Sequence, residues 1–551
     1  MDDGLFHQLL TPIGDSLLLS FLVASIPIIV VLVMLGVFQR PAWQSSLAGL
    51  VSALVVAVTA WQMPIGLALN ATASGVAFAL WPIMWIVFGA LILYNVALQS
   101  GRFDAFRRWV LLNLPNDKRI VLIVIGYGFG SLLEGVAGFG APVAITASLL
   151  ILLGFKSIDA VVYALIFNTA PVAFGSLGIP ITTLAGVTGY DTLPLGAMVG
   201  RQLPFFALLL PFYVMAMYGG MKSIRELWPV LLVAGGAFAI GQFVSSNGPY
   251  LGLNFMSYQL TDVISAGSSL VATVLFLKIW QPKHSAEYAL VVPPEDPNSP
   301  HRHVAPWQGW APWLIMIAVV GVWTHYAVAA VLRQRIEWPG LHNQVFITLP
   351  GYERPYAAIW NWEPFATGTA ILVTAIITAL VCRLSVSKFI EAVKTAWGQI
   401  LLPSVTVTAI IGMAFLANYS GLTYTLGLGV AQTGFLFPLL SAFLGWLAVF
   451  LSGSDSSGNA LFGNLQVVAA KQLNFDPVLM AATNSSGGTF AKMISPQNIA
   501  TGVAVSDLKG QEASIFRRTF IHSIIFTVLL GILVFLTQHV WPWIIPAYVN
   551  P

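Results

Sequence analysis

Charge is what this 551-residue chain is short of. Its 24 Lys and Arg and 21 Asp and Glu make up 8% of it, where soluble domains carry about 25%. Cysteine is scarcer still: Cys382 stands alone, which excludes an intramolecular disulfide and any multi-cysteine metal site. The formal charge of +3 is spread over loops and leaves no footprint for nucleic acid. The eight histidines, His301 and His303 in a polar loop among them, show no ligand spacing, so no metal is expected. There is no phosphate-binding GxxxxGK-S/T loop, and GYGFG at Gly126–Gly130 lies inside an apolar run, not at a dinucleotide fingerprint. No cofactor is implied.

What fills the chain instead is apolar: 57% of residues are hydrophobic and the mean hydropathy is +0.83. Runs long enough to cross roughly 30 Å of hydrocarbon recur from Leu17–Phe38 to Phe520–Tyr548. Leu17–Phe38 reads as a retained first helix, because Asp2, Asp3 and Asp15 precede it without lysine or arginine and no cleavage site follows. The expected fold is an all-α polytopic membrane protein of about 12 to 14 transmembrane helices, some broken or re-entrant. A first membrane half, 1–280, is joined by a polar linker, 281–309, to a second half, 310–551. Gln334–Pro364 is a further non-membrane segment.

Four times, an apolar run is interrupted by glycine, proline and small polar residues: Glu134–Pro142 (EGVAGFGAP), Asn168–Pro180, Gly453–Gln466 and Asn484–Asn498. Broken backbone at membrane depth is tolerated only where it is buried in protein or lines a polar cavity. Secondary transporters build small-ion and small-anion sites in this way. The halves also echo each other. Asn168 and Pro180 are twelve residues apart, as are Asn484 and Pro496, and the same offset pairs Phe174 with Phe490 and Gly186 with Gly502. An internal inverted repeat with the substrate near its interface accounts for this.

Glu134 and Asp455 are the candidate proton-coupling residues. A carboxylate at bilayer depth is normally paired, hydrated or protonated, which suits a proton carrier; a structural ion pair is the other reading. Backbone N–H groups and half-helix dipoles at Gly135, Gly138, Gly140, Gly453, Gly458, Gly487 and Gly488 are suited to a carboxylate, though small residues also serve close helix packing. Asn168, Thr169, Asn484, Ser485 and Ser486 offer neutral donors and acceptors to a carboxylate and a hydroxyl. Arg201 and Lys492 are the available cations, Arg201 as a bidentate partner and Lys492 as a neutraliser of Asp455 or of the substrate. The oxygen-rich run Ser454–Asn459 holds sodium, holds a proton or caps a helix near Gly458. The membrane histidines His325 and His522 belong to no polar cluster, which argues against a membrane enzyme.

The densest basic loop, Gly101–Arg119, belongs in the cytoplasm by the positive-inside rule. Counting back three helices puts the amino terminus outside.

EGVAGFGAPVAI from Glu134, NTAPVAFGSLGIPI from Asn168, GRQLP at Gly200–Pro204, NYSG at Asn418–Gly421 and GSDSSGNALFGNLQ from Gly453 resemble the bacterial lactate permease family, which includes glycolate permeases. The resemblance runs essentially the full length. It implies a multi-pass inner-membrane secondary transporter that takes up lactate, and often glycolate, with protons, through re-entrant hairpins and broken helices. Sodium coupling is the nearer alternative, an intramembrane enzyme the more distant one.

Overall fold

The computed structural model describes residues 5–549 apart from 39, 137–140, 283–285, 291–303, 350–351, 505 and 509–510. Gly138, Gly140, His301 and His303 therefore lie outside the described residues. Among those described, eight helices are long and apolar enough to span a membrane, from Leu17–Met34 to Glu512–His539. Two further pairs qualify only when joined across a bend: Ser157–Phe167 with Val172–Thr188 (60°) and Leu422–Ala431 with Gly434–Phe450 (104°). The 55-residue helix Thr192–Ser246 would extend about 80 Å if straight, more than twice the hydrocarbon thickness. It breaks at Gly220 (φ 64°), so each arm can cross separately.

The two ends of the bundle differ in charge. At one, Lys118 Nζ donates to the Gly154 carbonyl (3.0 Å), Arg102 Nη1 to Gln308 Oε1 (2.7 Å), and Arg518 pairs with Asp159 (2.7 Å). The guanidinium of Arg119, fully buried there, is held by Asp117 (2.8 Å) and Glu226 (2.6 Å). The other end carries the small amount of sheet that an all-helical expectation leaves out. Strand Phe6–His7 runs parallel to Val345–Leu349, which pairs antiparallel with Tyr352–Pro355; Gln334–Glu337 pairs antiparallel with Ile359–Trp362. A loop outside the hydrocarbon must still satisfy its peptide groups, and this one does so by strand pairing.

The halves interlock. Helix Gly175–Thr188 of the first packs on Asp455–Gln472 of the second, and Thr192–Ser246 packs on Pro477–Ala491. Within the second half, Phe437–Ser452 closes on Pro477–Ala491 through Gly445, whose α-carbon faces the Asn484 carbonyl. Small residues allow this close approach where lipid supplies no hydrophobic drive between helices.

Ser176, Leu177 and Gly178 form a left-handed turn (φ 46°, 60° and 77°) in the middle of the 157–188 span. Such backbone costs a residue with a side chain roughly 1–2 kcal/mol. Tyr258 lies against its outer side, with a Cβ at Gly178 falling 2.7 Å from the tyrosine ring. Gly178→Ala should lower thermal stability in detergent by more than the ~1–2 kcal/mol backbone penalty. Gly189→Ala (φ 76°, open space around its Cβ) should lose the backbone penalty alone. Equal shifts in unfolding midpoint would show that the Tyr258 contact is slack.

Candidate functional site

Glu134 sits on helix Gly130–Val136, where an apolar run gives way to the first break. Lys492 sits in the 3-10 turn Lys492–Ile494 that ends helix Pro477–Ala491 in the other half. The fold brings them into a salt bridge, Lys492 Nζ to Glu134 Oε1 at 2.5 Å. Asn168, which caps helix Ser157–Phe167, donates from Nδ2 to the other Glu134 oxygen at 2.9 Å. Gly175, at the start of the left-handed turn, lies so near that a Cβ there would be 3.0 Å from Glu134 Oε1. Three of the four breaks thus converge on one carboxylate.

The fourth break lies beside them. Ser454 caps helix Asp455–Gln472, its Oγ accepting from Ser457 N, so the Ser454–Asn459 run starts a helix at Asp455 and not near Gly458. Ser485 Oγ donates to Asp455 Oδ2 (2.6 Å) and Asn459 Nδ2 lies 3.5 Å from the same atom. The other oxygen, Oδ1, has no hydrogen-bond partner among the described residues and abuts Gly488. The salt bridge of Lys492 is with Glu134, not with Asp455.

A third carboxyl, Asp262, belongs to the same group and was not legible as such. It opens helix Thr261–Ile279, an unremarkable apolar span apart from this one acid. Glu134, Asp262 and Asp455 are 2%, 1% and 3% exposed, and Lys492 is 6% exposed. Both Asp262 oxygens lack a hydrogen-bond partner among the described residues. Of these three buried carboxyls, only Glu134 is salt-bridged to Lys492 among the described residues. No three His, Cys, Asp or Glu side chains among the described residues converge as a metal site.

The remaining candidates fall into separate networks. Asn484 is saturated within its own half: Nδ2 donates to the Gly458 carbonyl and Asn459 Oδ1, and Oδ1 accepts from Gln466 Nε2 (3.0 Å). It does not meet Asn168, so the sequence echo does not mark a shared contact. Ser486 Oγ donates to Gln202 Oε1 (2.6 Å), and Gln202 Nε2 to Thr483 Oγ1. Thr169 turns back to the Ile166 carbonyl (2.7 Å). Arg201 points away from the cluster, donating to Asn247 Oδ1 (2.8 Å) and the Ile544 carbonyl (2.5 Å) and covering the Tyr250 ring. Gly453 ends a helix at φ 70°, Gly458 packs on Val449, Gly487 faces the Ala442 carbonyl and Gly135 faces Asp262.

A cavity of about 1430 Å³ opens toward the end of the bundle that carries the strands. Tyr258, Tyr356, Tyr419 and Trp360 line it, with Thr182, Asn418 and Asn464. Of these, Tyr258 packs against Gly178 of the left-handed turn, and Gly175 at the start of that turn faces Glu134. The turn thus touches a residue of the vestibule at Gly178 and the charge cluster at Gly175.

Paired broken helices around a buried, partly uncompensated charge cluster define a polytopic membrane transport protein. The sequence places it more closely: the L-lactate permease family description matches residues 20–541, and the chain belongs to that family. It is 41% identical to the glycolate permease GlcA of Escherichia coli (strain K12), covering 97% of this chain and 98% of that protein. It is 39% identical to the L-lactate permease of Bacillus subtilis (strain 168), over 98% and 99% of the two chains. The family is one of permeases, transporters and not enzymes. Among solved structures, the YdaH transporter of Alcanivorax borkumensis aligns at 14% identity over 84% of this chain and 86% of that one, with a TM-score of 0.41.

Removing one member of a buried ion pair typically costs about 3–5 kcal/mol, whereas neutralising both is far milder. Lys492→Met should therefore lower the unfolding midpoint in detergent sharply, and Glu134→Gln with Lys492→Met should recover most of the loss. A double variant as unstable as the single one would mean that the pair contributes no mutual interaction.

Proposed function

We propose that this protein imports lactate, and glycolate or related 2-hydroxymonocarboxylates, by symport with protons across the bacterial inner membrane. The substrate class is carried by the relatives, named as glycolate and L-lactate permeases at about 40% identity over nearly their whole length. The coupling reading rests on one observation, the Lys492–Glu134 bridge between broken helices of the two halves.

An ammonium at bilayer depth needs an anion beside it. In the empty carrier Glu134 is that anion. When Glu134 takes a proton it releases Lys492, and the substrate carboxylate can replace it. Proton and monocarboxylate then bind together or not at all, the thermodynamic condition for symport. Asn168, already donating to Glu134, is within reach of the incoming carboxylate or its 2-hydroxyl. Asp455 is the second proton-accepting candidate, its Oδ1 open beside Gly488. Asn484, Ser485 and Ser486 hold the scaffold, and Arg201 anchors the carboxy-terminal segment.

The orientation follows from charge. The end that holds Arg102, Lys118, Arg119, Lys222 and Arg383 faces the cytoplasm by the positive-inside rule. The amino-terminal strand at the opposite end then lies in the periplasm, where the vestibule opens.

Purified protein in proteoliposomes should accumulate radiolabelled lactate under an imposed pH gradient, with glycolate competing and sodium without effect at fixed pH. Glu134→Gln should abolish that accumulation while sparing lactate–lactate exchange, because the proton site is lost and the side-chain shape is kept. Sodium-dependent uptake at constant pH would replace the coupling ion, and full proton-driven accumulation by Glu134→Gln would remove Glu134 from the mechanism.

A further inference from the structure

We propose that Asp262 is a proton-relay residue, carrying protons between the periplasmic vestibule and Glu134. The inference rests on the proton-symport reading and adds the route by which the proton reaches the coupling carboxylate.

Asp262 is positioned for this by its place on the chain. Ser257, Tyr258 and Gln259 line the vestibule, and the 3-10 turn Tyr258–Leu260 leads directly into the helix that Asp262 opens. One short segment therefore touches the vestibule at one end and the buried cluster at the other. At the inner end, Gly135, the neighbour of Glu134, packs against Asp262 so closely that a Cβ there would lie 2.6 Å from the aspartate Cβ.

Its hydrogen bonding points the same way. A buried carboxyl kept for structure alone is satisfied by donors, as Asp117 is by Arg119. Asp262 has both oxygens unpartnered among the described residues, so no hydrogen-bond donor fixes its carboxyl in the ionised form. Glu134 apart, the elements packed on its helix bring no charged side chain to it among the described residues, and Lys278 lies in the last turn at the far end of its own helix. Tyr127, on the 122–129 segment, gives its hydroxyl to the Ala207 carbonyl. On Thr192–Ser246, Arg201 is turned to Asn247, Glu226 to Arg119, and Lys222 and Arg225 are exposed at the cytoplasmic elbow. Gly175–Thr188 carries no charged residue.

The step conserves charge and atoms. Asp262 takes a proton from the vestibule side; its O–H bond then breaks as one forms on Glu134, which gives up Lys492. Asp262 returns to the carboxylate and can be protonated again.

The test compares wild type, Asp262→Asn and Asp262→Glu in proteoliposomes containing a pH-sensitive dye. Two rates are read: lactate–lactate exchange, and lactate uptake with proton entry under a pH gradient. In exchange Glu134 keeps its proton, so Asp262→Asn should leave that rate near wild type. Proton-driven uptake should fall about tenfold or more and lose its dependence on external pH, a coupling loss within the range common for linked sites. Asp262→Glu should restore it. Unchanged proton-driven uptake in Asp262→Asn overturns the relay, and so does an equal fall in both rates, which is the mark of a structural role. Absence of proton-driven uptake in wild type would instead defeat the symport reading itself.

Discussion

A peptide group freed by a break inside the bilayer has no water to turn to, and each unsatisfied group there costs several kcal/mol. Much of this protein's interior is arranged around that constraint. The breaks needed to bring polar groups together each expose carbonyls, and buried amide side chains take them up. Asn498 Nδ2 donates to the Gly453 carbonyl, Asn484 Nδ2 to that of Gly458, and Asn459 Nδ2 to that of Pro180. Gln242 serves Ala170 and Asn418 serves Val187 in the same way. Two of these bonds, Asn459 to Pro180 and Asn418 to Val187, cross between the halves. Backbone repair and inter-half packing are thus one network, and loosening a break also loosens the interface.

Given that scaffold, the ion pair can be placed where neither half alone would support it. Lys492 reaches across to Glu134 from a 3-10 turn that ends its own helix, and its carbonyl accepts from Asn498 Nδ2 and from Ser495 N. Glu134 is in turn wedged between Asn168 and the left-handed turn at Gly175–Gly178. Strained left-handed backbone is usually sustained by its surroundings and clusters at functional sites. Here the turn meets Glu134 at Gly175 and the vestibule residue Tyr258 at Gly178, so one strained segment is in contact with both.

How much of this the sequence disclosed follows from what sequence encodes locally. The four breaks were legible because glycine, proline and asparagine within apolar runs have few other uses in a membrane. Glu134 and Lys492 were visible as charged residues in broken segments. Their pairing was not, since it joins positions far apart in the chain, and the sequence pointed Lys492 toward Asp455 or the substrate. Asp262 escaped notice because a single acid at the start of a span looks like an ordinary interfacial residue; only the packing of Gly135 on it reveals its depth. Arg201 misled in the opposite direction. Its polar-to-apolar setting suggested an anion site, but the chain's end folds back to offer it the Ile544 carbonyl. The strands in 334–362 were hidden for a similar reason, as the first sheet needs a partner from residues 6–7.

A lysine, not an arginine, at the centre of the cluster bears on the proposed cycle. An arginine's planar fork grips one carboxylate at two points, whereas a lysine ammonium is a point charge on a flexible stem, suited to changing partners. In the proposed exchange, a protonated Glu134 and a substrate carboxylate stand where an ionised Glu134 stood, so the net charge at bilayer depth is the same with and without cargo. The large desolvation cost of that charge is then borne once, in folding, and does not enter the barrier for each turnover. What distinguishes loaded from empty carrier is shape and hydrogen bonding at Asn168 and the adjoining turn, not charge. The turn also contacts Tyr258 of the vestibule, and it is there that occupancy can be converted into opening and closing.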